Sequence, residues 1–182
     1  MTDFYQRVTD EQDFLKKLVA KIPGFSGYVE RADRRSSDKI LREAIVAHFE
    51  SIWQQVSELQ RTFLADGEIE LMDDLEASAI KLRQFIDRIK NAAYGYAGFF
   101  DAIKVKQEEL AAIYEYDLRF LDLESEITGA IDNIRSSVGT DGLPASIRNL
   151  VSLSQNCIDI FEKRKEVILS LSNEIVEDNS SK

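Results

Sequence analysis

Apolar residues recur along most of this chain at alternating spacings of three and four, the pattern of helices that bury one face. Leu41, Ile45, His48, Ile52, Val56, Leu59 and Phe63 make one such stripe. It predicts a helix from an N-cap at Ser36 or Ser37 to about Ala65, closed by Asp66-Gly67. Met72, Leu75, Ala79, Leu82, Ile86, Ile89 and Ala93 predict a second long helix over 68–93. Ile113, Tyr116, Phe120, Leu123, Ile127, Ala130 and Ile134 predict a third over 101–137. Leu110, Tyr114, Leu121 and Ile131 widen its face, so it is expected to touch two neighbours. Ile147, Leu150, Ser154, Cys157, Phe161, Ile168, Leu171 and Ile175 predict a fourth over 145–176, with Arg164-Lys165 interrupting the stripe. Ahead of these, a short amphipathic helix is expected over 9–22. Thr9 and Gln12 have capping-box spacing, Phe14, Leu15, Leu18, Val19 and Ile22 share a face, and Pro23-Gly24 stops the helix.

The middle of the chain breaks the rhythm. Residues 92–100 carry no charge and include Tyr94, Gly95, Tyr96, Gly98, Phe99 and Phe100. Glycine accepts the left-handed conformation that ends helices, and aromatics beside such a turn must be buried or bound. These six residues are read as a structural turn that folds one half of the chain on the other. A competing reading keeps the stripe in phase through Ala93, Tyr96, Phe100 and Ile103, making the two middle helices one continuous rod. Short links between long helices favour antiparallel neighbours. The expected fold is therefore all-α: an antiparallel up-down four-helix bundle with a short N-terminal capping helix. In one domain, 1–30 would form that helix and a loop, 31–176 the bundle and 177–182 a frayed tail.

Composition sharpens this picture only by exclusion. Two prolines and eight glycines in 182 residues leave little turn material for a β-rich fold. A net charge of −10 disfavours nucleic acid, which needs clustered cations. The single cysteine, Cys157, excludes an internal disulfide or a cysteine zinc cage, and it is read as a buried thiol. No stretch approaches the roughly 18 apolar residues of a membrane span, and a cytoplasmic location is expected.

Candidate chemistry is sparse. His48, the only histidine, is read as a partly buried, hydrogen-bonded side chain on the apolar stripe, and alone it cannot build a paired Glu-x-x-His metal site. The acidic residues Glu68, Glu70, Asp73, Asp74 and Glu76 suit the positive end of a helix dipole. Asp66-Gly67-Glu68-Ile69-Glu70 fails as a calcium loop, with Leu71 at the glycine position and Ala77 at the bidentate acid. Asp117 and Glu124 lie close to the buried side of their helix, and one of them is expected to pair with an arginine such as Arg83 or Arg88. No metal, cofactor or catalytic group is assigned. Tyr28, Arg31, Arg34, Arg35 and Lys39 form the candidate partner- or anion-binding segment, because arginine clusters and helix starts attract phosphate or carboxylate.

The passages Ile22-Pro-Gly-Phe-Ser-Gly-Tyr-Val-Glu-Arg-Ala-Asp-Arg-Arg and Arg88-Ile-Lys-Asn-Ala-Ala-Tyr-Gly-Tyr-Ala-Gly-Phe-Phe-Asp resemble a family of uncharacterised bacterial all-helical proteins. That family is associated with neighbours such as stomatin/prohibitin-like membrane scaffolds. The resemblance implies a non-enzymatic bacterial adaptor or scaffold module with a protein partner. Self-association is possible on this reading, membrane contact would come only through a partner, and no nucleic acid is involved. A small-ligand or anion-binding helical bundle is the alternative.

Overall fold

The computed structural model of the chain describes residues 2–28, 30–92 and 107–180, with side chains over 12–28, 30–92 and 109–170. Among the described residues all regular structure is helical. The α-helices are α1 (Thr2–Lys21), α2 (Arg34–Asp66), α3 (Met72–Asn91), α4 (Gln107–Ser137) and α5 (Leu143–Ser180), with a 3-10 turn over Ile69–Leu71. Tyr94, Gly95, Tyr96, Gly98, Phe99 and Phe100, read above as a structural turn, lie outside the described residues.

Boundaries differ from the sequence expectation where a local cap signal was overridden. α1 starts at Thr2, so Thr9 sits inside the helix and not at its N-terminus. α2 begins at Arg34, two to three residues before the expected serine cap. Ser37 is buried there, and its hydroxyl faces that of Ser26 at 3.0 Å. α5 continues to Ser180 rather than stopping at Val176. The end of α2 matches its signal. Gly67 takes φ +81°, its N–H donates to the Leu64 carbonyl, and the Glu68 N–H donates to Phe63, the paired bonds of a Schellman cap.

The chain divides into two compact units. Unit 1 comprises Met1–Ala44, Lys90–Arg119 and Phe161–Lys182; unit 2 comprises Ile45–Ile89 and Phe120–Ile160. Within unit 2 the core is apolar and aromatic. The Phe85 ring meets Phe49 at 4.7 Å and Phe120 at 5.4 Å between centroids, and Leu82, Ile86, Leu123, Ile127, Leu150 and Cys157 of the same unit are buried. The contact between Phe85 and Phe120 settles the competing readings of the middle helices. In one continuous helix those residues would stand about 52 Å apart at 1.5 Å per residue. Instead their rings lie 5.4 Å apart, so α3 and α4 do not belong to one straight rod.

In α2 the stripe contains Phe49, which is 1% exposed, and not His48. His48 sits one residue round the helix with its side chain 43% exposed, which corrects its placement on the buried face. It is nonetheless hydrogen-bonded as expected: Nδ1 lies 2.8 Å from Glu124 Oε2. Val19 in α1 is likewise exposed and not on the buried face.

Candidate functional site

Unit 1 buries charge. The i+3/i+4 stripe of α5 runs Phe161, Arg164, Ile168, so Arg164 does not interrupt it but occupies a core position, at 2% exposure. On α4, Asp117 takes the corresponding inward place, between Tyr114 and Leu121, and is fully buried. On α2, Asp38 sits one turn before Leu41, also buried. An unpaired charge in such places would be prohibitively costly.

The four charged groups pair in a chain of alternating sign. Arg164 Nε donates to Asp117 Oδ1 at 2.6 Å, and Nη2 of the same guanidinium reaches Asp38 Oδ1 at 3.5 Å. Arg42 Nε donates to the other Asp38 oxygen at 2.7 Å, and Arg42 Nη1 reaches the Lys90 carbonyl at 3.4 Å. Two carboxylates thus face two guanidiniums. The expected partners of Asp117, Arg83 or Arg88, are not used: Arg83 lies over the Trp53 ring and beside Asp87. Glu124 takes His48 instead.

Tyr28 closes the network from the loop after α1. Its hydroxyl donates to Asp117 Oδ2 at 2.9 Å and accepts from Arg164 Nη2 at 3.2 Å. Its N–H donates to the Tyr114 hydroxyl at 2.7 Å, and its carbonyl accepts from Arg34 Nε at 2.7 Å. The Tyr28 ring stacks on Tyr114 at 5.4 Å and 14°, with Phe25 edge-on to both. Gly27 makes this approach possible. It takes φ +88°, and a Cβ there would stand 2.7 Å from the Tyr114 hydroxyl oxygen and 2.9 Å from Leu15 Cδ1.

Burial pushes the Asp117 carboxyl above its usual value of 3.8, while Arg164 and the hydrogen bonds from Arg164 and Tyr28 pull it down. Burial, and then the negative Asp117, push the Tyr28 hydroxyl well above 10.0. It therefore stays a neutral donor through the physiological range.

The five residues singled out from the sequence fall into two groups. Tyr28 and Arg34 are buried, turned into the network and unavailable as a docking surface. Arg31, Arg35 and Lys39 are exposed, and Lys39 pairs loosely with Glu43 at 3.8 Å. Their surroundings include the exposed acids Glu30, Asp33 and Glu43, so this surface is mixed in sign. Sequence reasoning missed Arg164, Asp38 and Arg42 as network members. The available signal was the spacing itself, which puts a charge on a buried register position in α5.

In unit 2, a surface groove lies among Glu58, Leu59, Thr62, Phe63, Arg135 and Val138, where Arg135 approaches Glu58 at 3.9 Å. Among the described residues no group of three or more His, Cys, Asp or Glu side chains is placed to hold a metal ion. No helix among them is long and apolar enough to cross a membrane. Comparison with protein-family models, with curated proteins and with solved structures finds no match to this chain.

Proposed function

We propose that the protein is a non-enzymatic interaction or scaffold module, an adaptor whose partner-facing segment is residues 22–42. The observation that carries this reading is the closure of the buried network. Both Asp117 oxygens and the Tyr28 hydroxyl are occupied by partners inside unit 1, and Asp38 has an arginine on each oxygen. Such groups are occupied in holding a loop in one shape, and none is poised with a free lone pair toward a cleft. What the segment then offers outward is a fixed, mixed-sign surface with Arg31, Arg35 and Lys39 upon it. Alternating charge suits a protein partner better than a lone phosphate, which would be repelled by Glu30 and Asp33.

The same reading takes α2–α5 as an antiparallel up-down bundle with α1 as its cap, and the bacterial adaptor role as what the sequence resemblance implies. Support comes from unit 2. There Phe49 pairs with Phe85 and Trp53 with Arg83, so partner numbers fall along α3 as they rise along α2. The α2 contacts to α4, His48 with Glu124 and Glu58 with Arg135, run instead in the same direction, as diagonal helices of such a bundle do. A spin-label distance of no more than about 30 Å between Glu76 and Glu126 is expected, against about 75 Å for one straight helix.

Affinity capture from the native host tests the function. The wild-type chain should retain a protein that the charge-reversed triple variant Arg31→Glu, Arg35→Glu, Lys39→Glu loses, with the helical circular dichroism of the two unchanged. Equal capture by both would remove the segment from consideration. Co-purification of a small anion in place of a protein would favour the ligand-binding alternative.

A further inference from the structure

The loop between α1 and α2 is fastened in an unusual way. Residues 22–28 lie outside any helix, yet Ile22, Phe25 and Tyr28 are each no more than 3% exposed. Backbone bonds within this loop are local, with Ile22 N–H donating to Leu18 and Phe25 N–H to Ile22. Beyond the Ser26–Ser37 hydroxyl contact at 3.0 Å and the Phe25 ring against Tyr114, one residue makes most of the polar contacts of its far end. Tyr28 uses its N–H, its carbonyl and its hydroxyl, each on a side chain from a helix of unit 1, and its ring lies flat on Tyr114.

Without Tyr28, the groups it touches would still be arranged. Asp117 is held by Arg164 at 2.6 Å, Arg164 also by Asp38, and Asp38 by Arg42 at 2.7 Å; these are helix-to-helix or within-helix pairs that do not pass through the loop. The result is a slot with an aromatic wall, Tyr114, and a charged floor, Asp117 and Arg164. One floor group accepts a hydrogen bond and the other donates one. A phenol satisfies both at once, since its hydroxyl is donor and acceptor together. Phenylalanine would leave both floor groups short of a partner. Glycines with positive φ at 24 and 27 bracket Phe25 and Ser26, so the loop reaches the slot through conformations that other residues resist.

We propose that residues 22–28 form a self-docked strap: Tyr28 occupies, as a ligand would, a phenol-binding slot that α2, α4 and α5 build without it, and the strap comes off while those helices stand. The slot's ligand class is a phenolic ring, supplied here by the chain itself. When the strap lifts, the same slot is open to a tyrosine side chain of another polypeptide. The strap would exist with or without a partner at residues 22–42, so its failure and the failure of the adaptor reading are separately visible.

Two variants of the full chain test this. Gly27→Ala drives a methyl into Tyr114 and Leu15 while leaving every charged group in place. Hydrogen exchange should then quicken by about tenfold or more at residues 25–28, with α4 amides near Asp117 and α5 amides near Arg164 keeping their protection. Concerted loss of protection in strap and helices, a failure to fold, or unchanged strap exchange would each overturn the proposal. Tyr28→Ala vacates the slot itself. p-Cresol at millimolar concentration should raise the Tm of this variant and leave the wild type unmoved, with toluene raising it less, because only the phenol reaches Asp117 and Arg164. Equal rescue by toluene, or none by either, would show that no phenol-binding slot exists.

Discussion

The two units solve the same packing problem with opposite materials. Unit 2 fills its centre with Phe49, Phe85 and Phe120, and its His48–Glu124 pair stays partly in solvent, at 43% and 32% exposure. Unit 1 places Asp38, Asp117 and Arg164 where unit 2 has hydrocarbon, each no more than 3% exposed. Apolar packing is strong but tolerant, since volume-conserving exchanges cost little. A buried charge chain is the reverse. Its net contribution to stability is small, yet removing one member leaves its neighbours unpaired in a medium that cannot solvate them. Unit 1 thereby gains a specific seat for its loop, which unit 2, closed by short glycine-capped links, does not require.

The largest expected effect breaks that contrast at its centre. Arg164→Ala should destabilise by about 3–5 kcal/mol, because Asp117 and Asp38 lose the cation they share. The double variant Asp117→Leu with Arg164→Met should recover most of the loss in urea titrations, since no buried charge is then left facing Asp117's place. If the double variant were as unstable as the single one, the network would be a source of stability and not of specificity. The pH dependence of Arg164→Ala has a defined sign. Burial already raises the Asp117 carboxyl above 3.8 and Arg164 is the chief opposing influence, so its removal raises that carboxyl further. A native-state value above the unfolded one means stability present in acid and lost as pH rises through the native value. The deficit of the variant should therefore be smallest near pH 4 and grow toward neutrality.

The equivalent cut in unit 2 should be mild. His48→Ala removes a partner from Glu124, but water replaces it, and the cost should be no more than about 1 kcal/mol. A loss as large as that of Arg164→Ala would dissolve the distinction between the units.

How much of this was legible follows from what periodicity can encode. Stripes on α2 through α5 located the buried faces because burial depends on angle around the helix alone, and Ile45, Leu82, Ile127 and Leu150 are all buried. A one-residue error at His48 arose because 48 and 49 both satisfy three-four spacing from Ile45 and Ile52, and the larger apolar Phe49 takes the inner place. Arg164 was visible as a charge in an apolar row. Its pairing with Asp117 was not, since that depends on which helices lie together, information that no single stripe contains. Thr9 illustrates the converse: its capping-box spacing with Gln12 did not mark the start of the helix, which lies at Thr2.

The smallest expected effect concerns the one buried side-chain oxygen or nitrogen that finds no partner among the described residues, Ser78 Oγ on α3 in unit 2. Ser78 is fully buried in unit 2, where the other buried hydroxyls, Ser146 and Ser154, each donate to a backbone carbonyl one turn earlier. Unit 1 matches the buried groups of its network with partners, whereas this hydroxyl was desolvated without a return bond, a cost of about 1 kcal/mol or more. Ser78→Ala removes the hydroxyl, leaves a void smaller than a methyl group and improves helix propensity. The variant should therefore be more stable by about 0.5–1 kcal/mol in thermal or urea unfolding. An internal water bridging Ser78 would reverse the sign, because its other partners would then be orphaned in turn. A destabilised Ser78→Ala would accordingly show that unit 2 also holds a buried polar network through water, and that the two cores differ in degree rather than in kind.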